Sequence, residues 1–217
     1  MDNAEFQKRI AEMKTDIFPL DLMLPPETVY ATFVGEYAKI SNKGVFFKNR
    51  EFQRLREGYF SLFVAASLDD LAGKKHHLTF PIDPSNDIIF AKVTDGADEF
   101  PAYRFDVKEF TIYSGSFEEF VQTKIIPKLE IYNLVVATYQ YLDGNDLALL
   151  MEALREKGSD RRIWLTGSSS PEDKDVDIGR VTVMDKDKIL YNEIIDLNER
   201  YNIEGPMVIY HDKLRLK

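Results

Sequence analysis

The sequence predicts an α/β fold, a mixed central sheet flanked by helices. Three features predict it: helical spacing of apolar residues up to about residue 72, a switch to short apolar runs near residue 77, and a β-branched run at residues 132–139 set between two helical segments. Phe6, Ile10 and Met13 give residues 2–14 a helical spacing. The apolar stretch that follows ends in Pro25-Pro26, which stops a helix from running through and suits the first turn of a new one. From Glu27, Tyr30, Phe33, Val34 and Tyr37 share one helical face, and Asn42-Lys43-Gly44 reads as the closing turn. A long helix comes next, on Phe52, Leu55, Tyr59, Leu62, Phe63 and Ala66, with Gly73 as its C-cap.

Three strands then follow at residues 77–82, 88–93 and 103–113, joined by an Ile-Asp-Pro-Ser-Asn turn and a Thr-Asp-Gly-Ala-Asp-Glu-Phe turn. Short turns between successive strands predict an antiparallel meander. Ser116 and Glu119 stand at capping-box spacing before a helix that buries Phe117, Phe120, Val121 and Ile125 and ends at Pro127. Residues 132–139 read as a central strand covered on both faces. Asn145 or Asp146 caps a helix that runs to Lys157, with Gly158 as its stop. Residues 162–167 and 181–185 read as strands, residues 189–201 as a helix, and residues 206–211 as a last strand. Strands joined through helices predict parallel neighbours.

The chain has 217 residues, enough to bury a substantial core, and 15 Phe and 11 Tyr supply much of it. It has no Cys and three His, which excludes a disulfide framework and leaves too few of the usual ligands for structural zinc. Cysteine absence, a polar N-terminus without the apolar core of a signal peptide, and no apolar run of roughly 20 residues predict a cytoplasmic protein that does not enter a membrane. The net charge of −9 argues against a broad basic face for nucleic acid, while leaving room for a local basic groove.

The chemistry-bearing pattern lies in the third strand. Asp106-Val107-Lys108 sits between Phe105 and Phe110, and alternation puts Asp106 and Lys108 on one face. A carboxylate and an ammonium within an apolar strand are costly unless paired or functional. Asp87 opens the preceding strand, within reach of a shared divalent ion if the strands are neighbours. Of three D/E-x-K triplets, the other two being Glu12-Met13-Lys14 and Glu172-Asp173-Lys174, only this one falls in a predicted strand with an Asp ahead of it.

Asp87 followed by Asp106-x-Lys108, with a helix before three strands and a helix and strands after, resembles the PD-(D/E)XK, or restriction-endonuclease-like, nuclease superfamily. The resemblance covers about half the chain, from roughly Arg50 to Thr166. It implies N-terminal helical residues 1–49, a nuclease-like core at 50–167 and a C-terminal extension at 168–217 packed on that core. It implies that Asp87, Asp106 and the Val107 carbonyl bind Mg²⁺ or Mn²⁺, that Lys108 orients or helps activate the attacking water, and that Glu57 in the preceding helix completes the shell. DNA is the implied substrate, cut by an endonuclease in a restriction or defence setting, with a homodimer expected of an enzyme that cuts both strands. Arg54, Lys74, Lys75, Arg104 and Lys124 are the expected phosphate contacts. Pro84 precedes Asp87 by three residues instead of adjoining it, and the following helix lacks a Gln-x-x-x-Tyr pattern.

Other readings stay open beside this one. Asp106 and Lys108 form a cross-strand ion pair on a solvent-facing edge, and Asp87 caps a turn. The chain is then a non-catalytic binding or assembly module on the same nuclease-like fold, and its acidic surface meets a protein partner. His76-His77 read as surface residues more readily than as ligands or a general base, and Tyr139 and Tyr141 as core more readily than as stacking platforms. Asp173-x-Asp175-x-Asp177 lacks the glycine and closing glutamate of a calcium loop. Ser168, Ser169 and Ser170 lack the phosphate-loop signature.

Overall fold

A computed structural model of the chain describes residues 23–80, 87–93, 99–111, 114–130, 133–169 and 177–201, together with the backbone of residues 17–19. The expected helix at 2–14, the turn before Asp87, the acidic loop around Asp173, Asp175 and Ser170, and the strand at 206–211 lie outside those residues, as do the triplets at Glu12 and Glu172. Mixed α/β structure with a mixed sheet is what the described residues form. The chain divides into two units, residues 1–104 with 197–217, and residues 105–196. The division falls inside one strand.

In the first unit, α1 spans Pro26–Lys39 with a proline in its opening turn, as the double proline predicts. It buries Val29, Tyr30 and Phe33, while Val34 turns to solvent. The expected turn at Asn42-Lys43-Gly44 is instead the start of a one-turn helix α2, Lys43–Phe46, because the Asn42 side chain accepts the Gly44 amide and caps it. Helix α3, Gln53–Ala72, ends on Gly73 in the left-handed conformation at φ +60°, which a glycine adopts without steric cost. From Leu55 to Leu68 every residue of α3 is buried, so its polar members need partners. They have them. Arg56 donates to the carbonyls of Phe46 and Asn49 at 2.6 and 2.8 Å, and Ser67 donates to Val64 at 2.8 Å. Phe33, Phe46, Tyr59 and Phe63 form the aromatic centre, with Phe33 and Tyr59 rings 4.9 Å apart.

Strand β1, Ile17–Pro19, comes from the apolar stretch before Pro25-Pro26. Strands β2, His76–Thr79, and β3, Ile88–Lys92, pair antiparallel as expected. Strand β4, Glu99–Phe110, is the neighbour of β3 and starts earlier than its sequence suggests. Glu99 and Phe100, expected in a turn, pair with Pro19 and Phe18 of β1. A partner strand supplies backbone hydrogen bonds that local propensity does not foresee.

In the second unit, β4 from Phe105 onward pairs in parallel with β5, Asn133–Thr138, and β5 in parallel with β6, Ile163–Gly167. Residues 134–138 are all buried, which fits the central strand expected there. The β4–β5 connection opens with α4, Phe117–Phe120, where Ser116 Oγ accepts the Glu119 amide at 3.1 Å. It was expected as one helix ending at Pro127. Instead it widens to a π turn at Val121–Ile125 and tightens to a 3₁₀ turn at Ile126–Lys128 with Pro127 inside. Pro127 has no amide to donate and its ring crowds the carbonyl four residues back, so a regular α-helix cannot pass through it. The next helix, α5, Gly144–Glu156, is capped by Asp143, not by Asn145 or Asp146. The Asp143 side chain accepts the amides of both those residues, and Asp146 returns the bond to the Asp143 amide at 3.0 Å. Phe117, Phe120, Val121, Ile125, Leu150 and Leu154 pack with Leu134, Val136, Ile163 and Leu165 into one core.

The largest departure is at residues 189–201. The expected helix is a strand, β8, Ile189–Asp196, followed by one helical turn, α6, Leu197–Arg200. Strand β8 forms an antiparallel hairpin with β7, Ile178–Met184, and β7 pairs antiparallel with β6. The hairpin turn is locked by Asp185, whose carboxylate accepts the amides of Asp187 and Lys188 at 2.8 Å each. Those bonds hold the Asp185 carboxyl below the usual range. Thr182 Oγ1 donates across the hairpin to Asn192 at 2.9 Å. No helix among the described residues is long and apolar enough to cross a membrane.

Candidate functional site

The predicted site residues are divided between the units. Glu57 and Asp87 belong to the first; Asp106, Val107 and Lys108 belong to the second. Each group is described by itself.

Glu57 is buried on α3. Its carboxylate accepts from Arg54 at 2.6 Å and from Gln53 Nε2 at 2.9 Å, both one turn back along the same helix. Arg54 also reaches the main-chain carbonyl of Asp87 at 3.5 Å. Arg54, expected as a phosphate contact, thus spends its guanidinium on a buried carboxylate and on the head of β3. Asp87 is half-buried there.

Asp106 is buried in β4 opposite Leu134 of β5. Strand alternation puts Asp106, Lys108 and Phe110 on the face that carries the α4–α5 core. The Lys108 ammonium donates to Asp106 Oδ1 and, at 3.2 Å, to the Val107 carbonyl. The pair therefore forms within one strand, from residue i to i+2. Its carboxylate lies in a parallel pairing and away from solvent, unlike the exposed antiparallel edge of the alternative reading. A second ammonium, Lys128 on the 3₁₀ turn before β5, stands 4.0 Å from Asp106 Oδ2. A helix that ends at Pro127 leaves Lys128 outside it, and the sequence signal for Lys128 is its place directly after that proline.

The two histidines differ from the surface pair expected. His76 is 1% exposed, and Asp69 Oδ1 accepts from its main-chain amide at 2.7 Å and contacts its ring Nδ1 at 3.0 Å. His77 is half-buried, and among the described residues its Nδ1 has no hydrogen-bond partner. Burial lowers the His77 pKa, and Lys75 and His76 push it the same way against Glu27 and Asp69.

Among the described residues, no group of three or more His, Cys, Asp or Glu side chains stands where it could hold a metal ion. Asp106 Oδ1 is engaged by Lys108, the Val107 carbonyl accepts from that same ammonium, and Glu57 is engaged by Arg54. As arranged, each donor that the resemblance assigns to a cation and whose contacts are described above already has a protein cation beside it. Comparison with protein-family models, with curated proteins and with solved structures gives no match. The reading of the site therefore rests on its own chemistry.

Proposed function

We propose that the chain is a phosphodiester hydrolase of the PD-(D/E)XK type, acting on DNA, with Asp106 and Lys108 at the centre of its site. One observation carries the proposal: a buried carboxylate and a lysine two residues on, held together in a strand between the buried Phe105 and Phe110. Removing both charges from water is unfavourable, and apolar residues of similar size would stabilise the strand at least as well. A pair kept there against that cost fits a chemical use. Lys108 can stabilise negative charge as it builds on phosphoryl oxygens. Mg²⁺ or Mn²⁺, with the Val107 carbonyl as a further donor, belongs to the proposal through the resemblance alone. An ion taken by Asp106 has to compete with Lys108 for Oδ1.

The test is cleavage by purified protein of single-stranded, double-stranded and branched DNA, and of RNA, in Mg²⁺ and in Mn²⁺. Asp106→Ala should lose the activity. Cleavage of none of these substrates, or cleavage that persists in Asp106→Ala, removes the site from the reaction.

A second reading has its own support. A groove of about 230 Å³ between the π turn and α5 is lined by Val121, Ile126, Leu149 and Ala153 together with Gln122, Glu118, Glu152 and Glu156, and the surface it offers is mostly polar. Three carboxylates around a groove suit a basic protein partner, in keeping with a non-catalytic module whose acidic surface meets a protein. On this reading charge reversal at Glu152 and Glu156 weakens binding of a leucine–lysine model helix, and Asp106→Ala does not.

A further inference from the structure

We infer that the outer edge of β8 is an interface between two copies of this chain, in which the two strands pair antiparallel about a two-fold axis at Ile194. The inference goes beyond the nuclease reading. It rests on β8 itself, so cleavage of nucleic acid or its absence does not bear on it.

The open edge is the first support. Strand β7 pairs with one side of β8, and no described strand pairs with the other. Every second residue of an edge strand turns its N–H and C=O away from the sheet, where a further strand can take them. Proteins commonly blunt such an edge with a proline, a lysine within the strand, a bulge or a short length. Strand β8 runs for 8 residues with no proline and no lysine inside it. Its register with β7 is regular from Tyr191 to Asp196, and the irregularity at Val183/Met184 lies toward the turn. Ile194, in the regular part, is 56% exposed, more than any other large apolar residue described.

Self-complementarity selects a second copy as the occupant. A two-fold axis uses one patch twice, so each residue must suit the one set opposite it in the other copy. With the axis at Ile194, that residue meets its own counterpart, Asn192 meets Asp196, and Glu193 meets Ile195. Alternation keeps Asn192, Ile194 and Asp196 on one face. The two isoleucines cover each other as an apolar cross-strand pair. Asn192 uses its Oδ1 to accept from Thr182, and its amide N–H₂ is a donor suited to the Asp196 carboxylate. A carboxylate accepts up to about four bonds, so this one adds to the contacts Asp196 makes in its own chain. An axis at Glu193 would instead set two carboxylates face to face, which is unfavourable. One strand pair is a small interface, below the roughly 1,200 Å² of standard-size complexes, so the association is concentration-dependent.

The experiment uses the full chain, in sedimentation velocity over a concentration series and in disulfide trapping with diamide as oxidant. The wild type should shift from one chain toward two as concentration rises. Ile194→Glu should weaken the association by about tenfold or more, because two carboxylates then meet across the axis. Within its own chain that carboxylate faces Arg180 of β7, so the fold should keep the wild-type melting temperature. The chain has no Cys, so a single introduced thiol reports the register directly. Ile194→Cys should trap a disulfide-linked dimer, since residues facing each other across an antiparallel pair have Cα atoms about 4.5–5.5 Å apart, within the span of a disulfide. Glu193→Cys should not, because its two copies lie on a diagonal roughly 7–8 Å apart. A wild type that stays a single chain at every concentration overturns the inference and leaves β8 to another occupant, such as residues 206–211 of the same chain. A dimer that is indifferent to Ile194→Glu and is not trapped by Ile194→Cys overturns it too, because the interface then lies on another face.

Discussion

Glu57 and Asp106 are both buried carboxylates held by a cation close by in sequence, and the difference between them separates a fold residue from a candidate for chemistry. Glu57 sits on a helix and is met by Arg54 and Gln53, three and four residues earlier, where helical geometry places neighbours. Arginine stays protonated at any working pH and its planar fork fits a carboxylate, so the arrangement is stable and local. Asp106 sits on a strand and is met by Lys108, two residues later, with Lys128 at a longer distance. Side chains two apart on a strand point the same way without being forced together. The strand pair thus rests on a lysine, a point charge on a flexible stem, which favours exchange with a ligand.

The largest effect expected on stability is at the helical pair. Glu57→Ala removes a buried side chain and the acceptor that Arg54 and Gln53 share, and should cost about 1–3 kcal/mol in denaturant unfolding. Any loss of cleavage should follow the loss of folded protein. Loss of cleavage in a fully folded Glu57→Ala protein breaks the comparison and returns Glu57 to the site.

A smaller effect sharpens the other side. Asp143→Ala removes the cap of α5, the helix that packs against the Asp106-bearing face, and should cost about 1 kcal/mol by chemical denaturation. Cleavage per folded molecule should be unchanged. A selective loss of activity would mean that α5 positions the site more directly than its packing indicates.

The smallest effect is a pH dependence confined to the first unit. Burial lowers the His77 pKa in the folded chain, so the unfolded chain binds more protons just below the ordinary value of 6.5. The contribution of neutral His77 is fully present above 6.5 and is lost as pH falls from 6.5 toward the lowered value. His77→Gln should flatten the melting temperature across that window. An unchanged profile would assign the titration to another group.

What the sequence made legible follows from range. Helix α3 and its Gly73 cap, the capping serine at 116, the central strand at 133–138 and the shared face of Asp106 and Lys108 all depend on residues a few positions apart. The misses came from partners distant in the chain. Glu99 and Phe100 join β4 because β1 pairs with them. Ile189–Asp196 is a strand because the Asp185 turn folds it onto β7, although its apolar spacing also suits a helix. His76 is buried because Asp69, at the end of α3, supplies its acceptor. Lys128 joins the site only through a π turn, which has no local signature in the residues around Pro127. The pairing of Asp106 with Lys108 was legible; its burial opposite Leu134 in a parallel pairing was not.

The most direct test of the Asp106–Lys108 claim is the rate of DNA cleavage by Lys108→Ala, measured on the same preparation as its melting temperature and expressed per folded molecule. The account predicts a fall of about two orders of magnitude or more, since Lys108 is asked to stabilise charge that exists only in the transition state. The melting temperature should drop only modestly, because Lys128 remains near Asp106. Cleavage at the wild-type rate per folded molecule would contradict the account and leave Asp106–Lys108 as a structural ion pair.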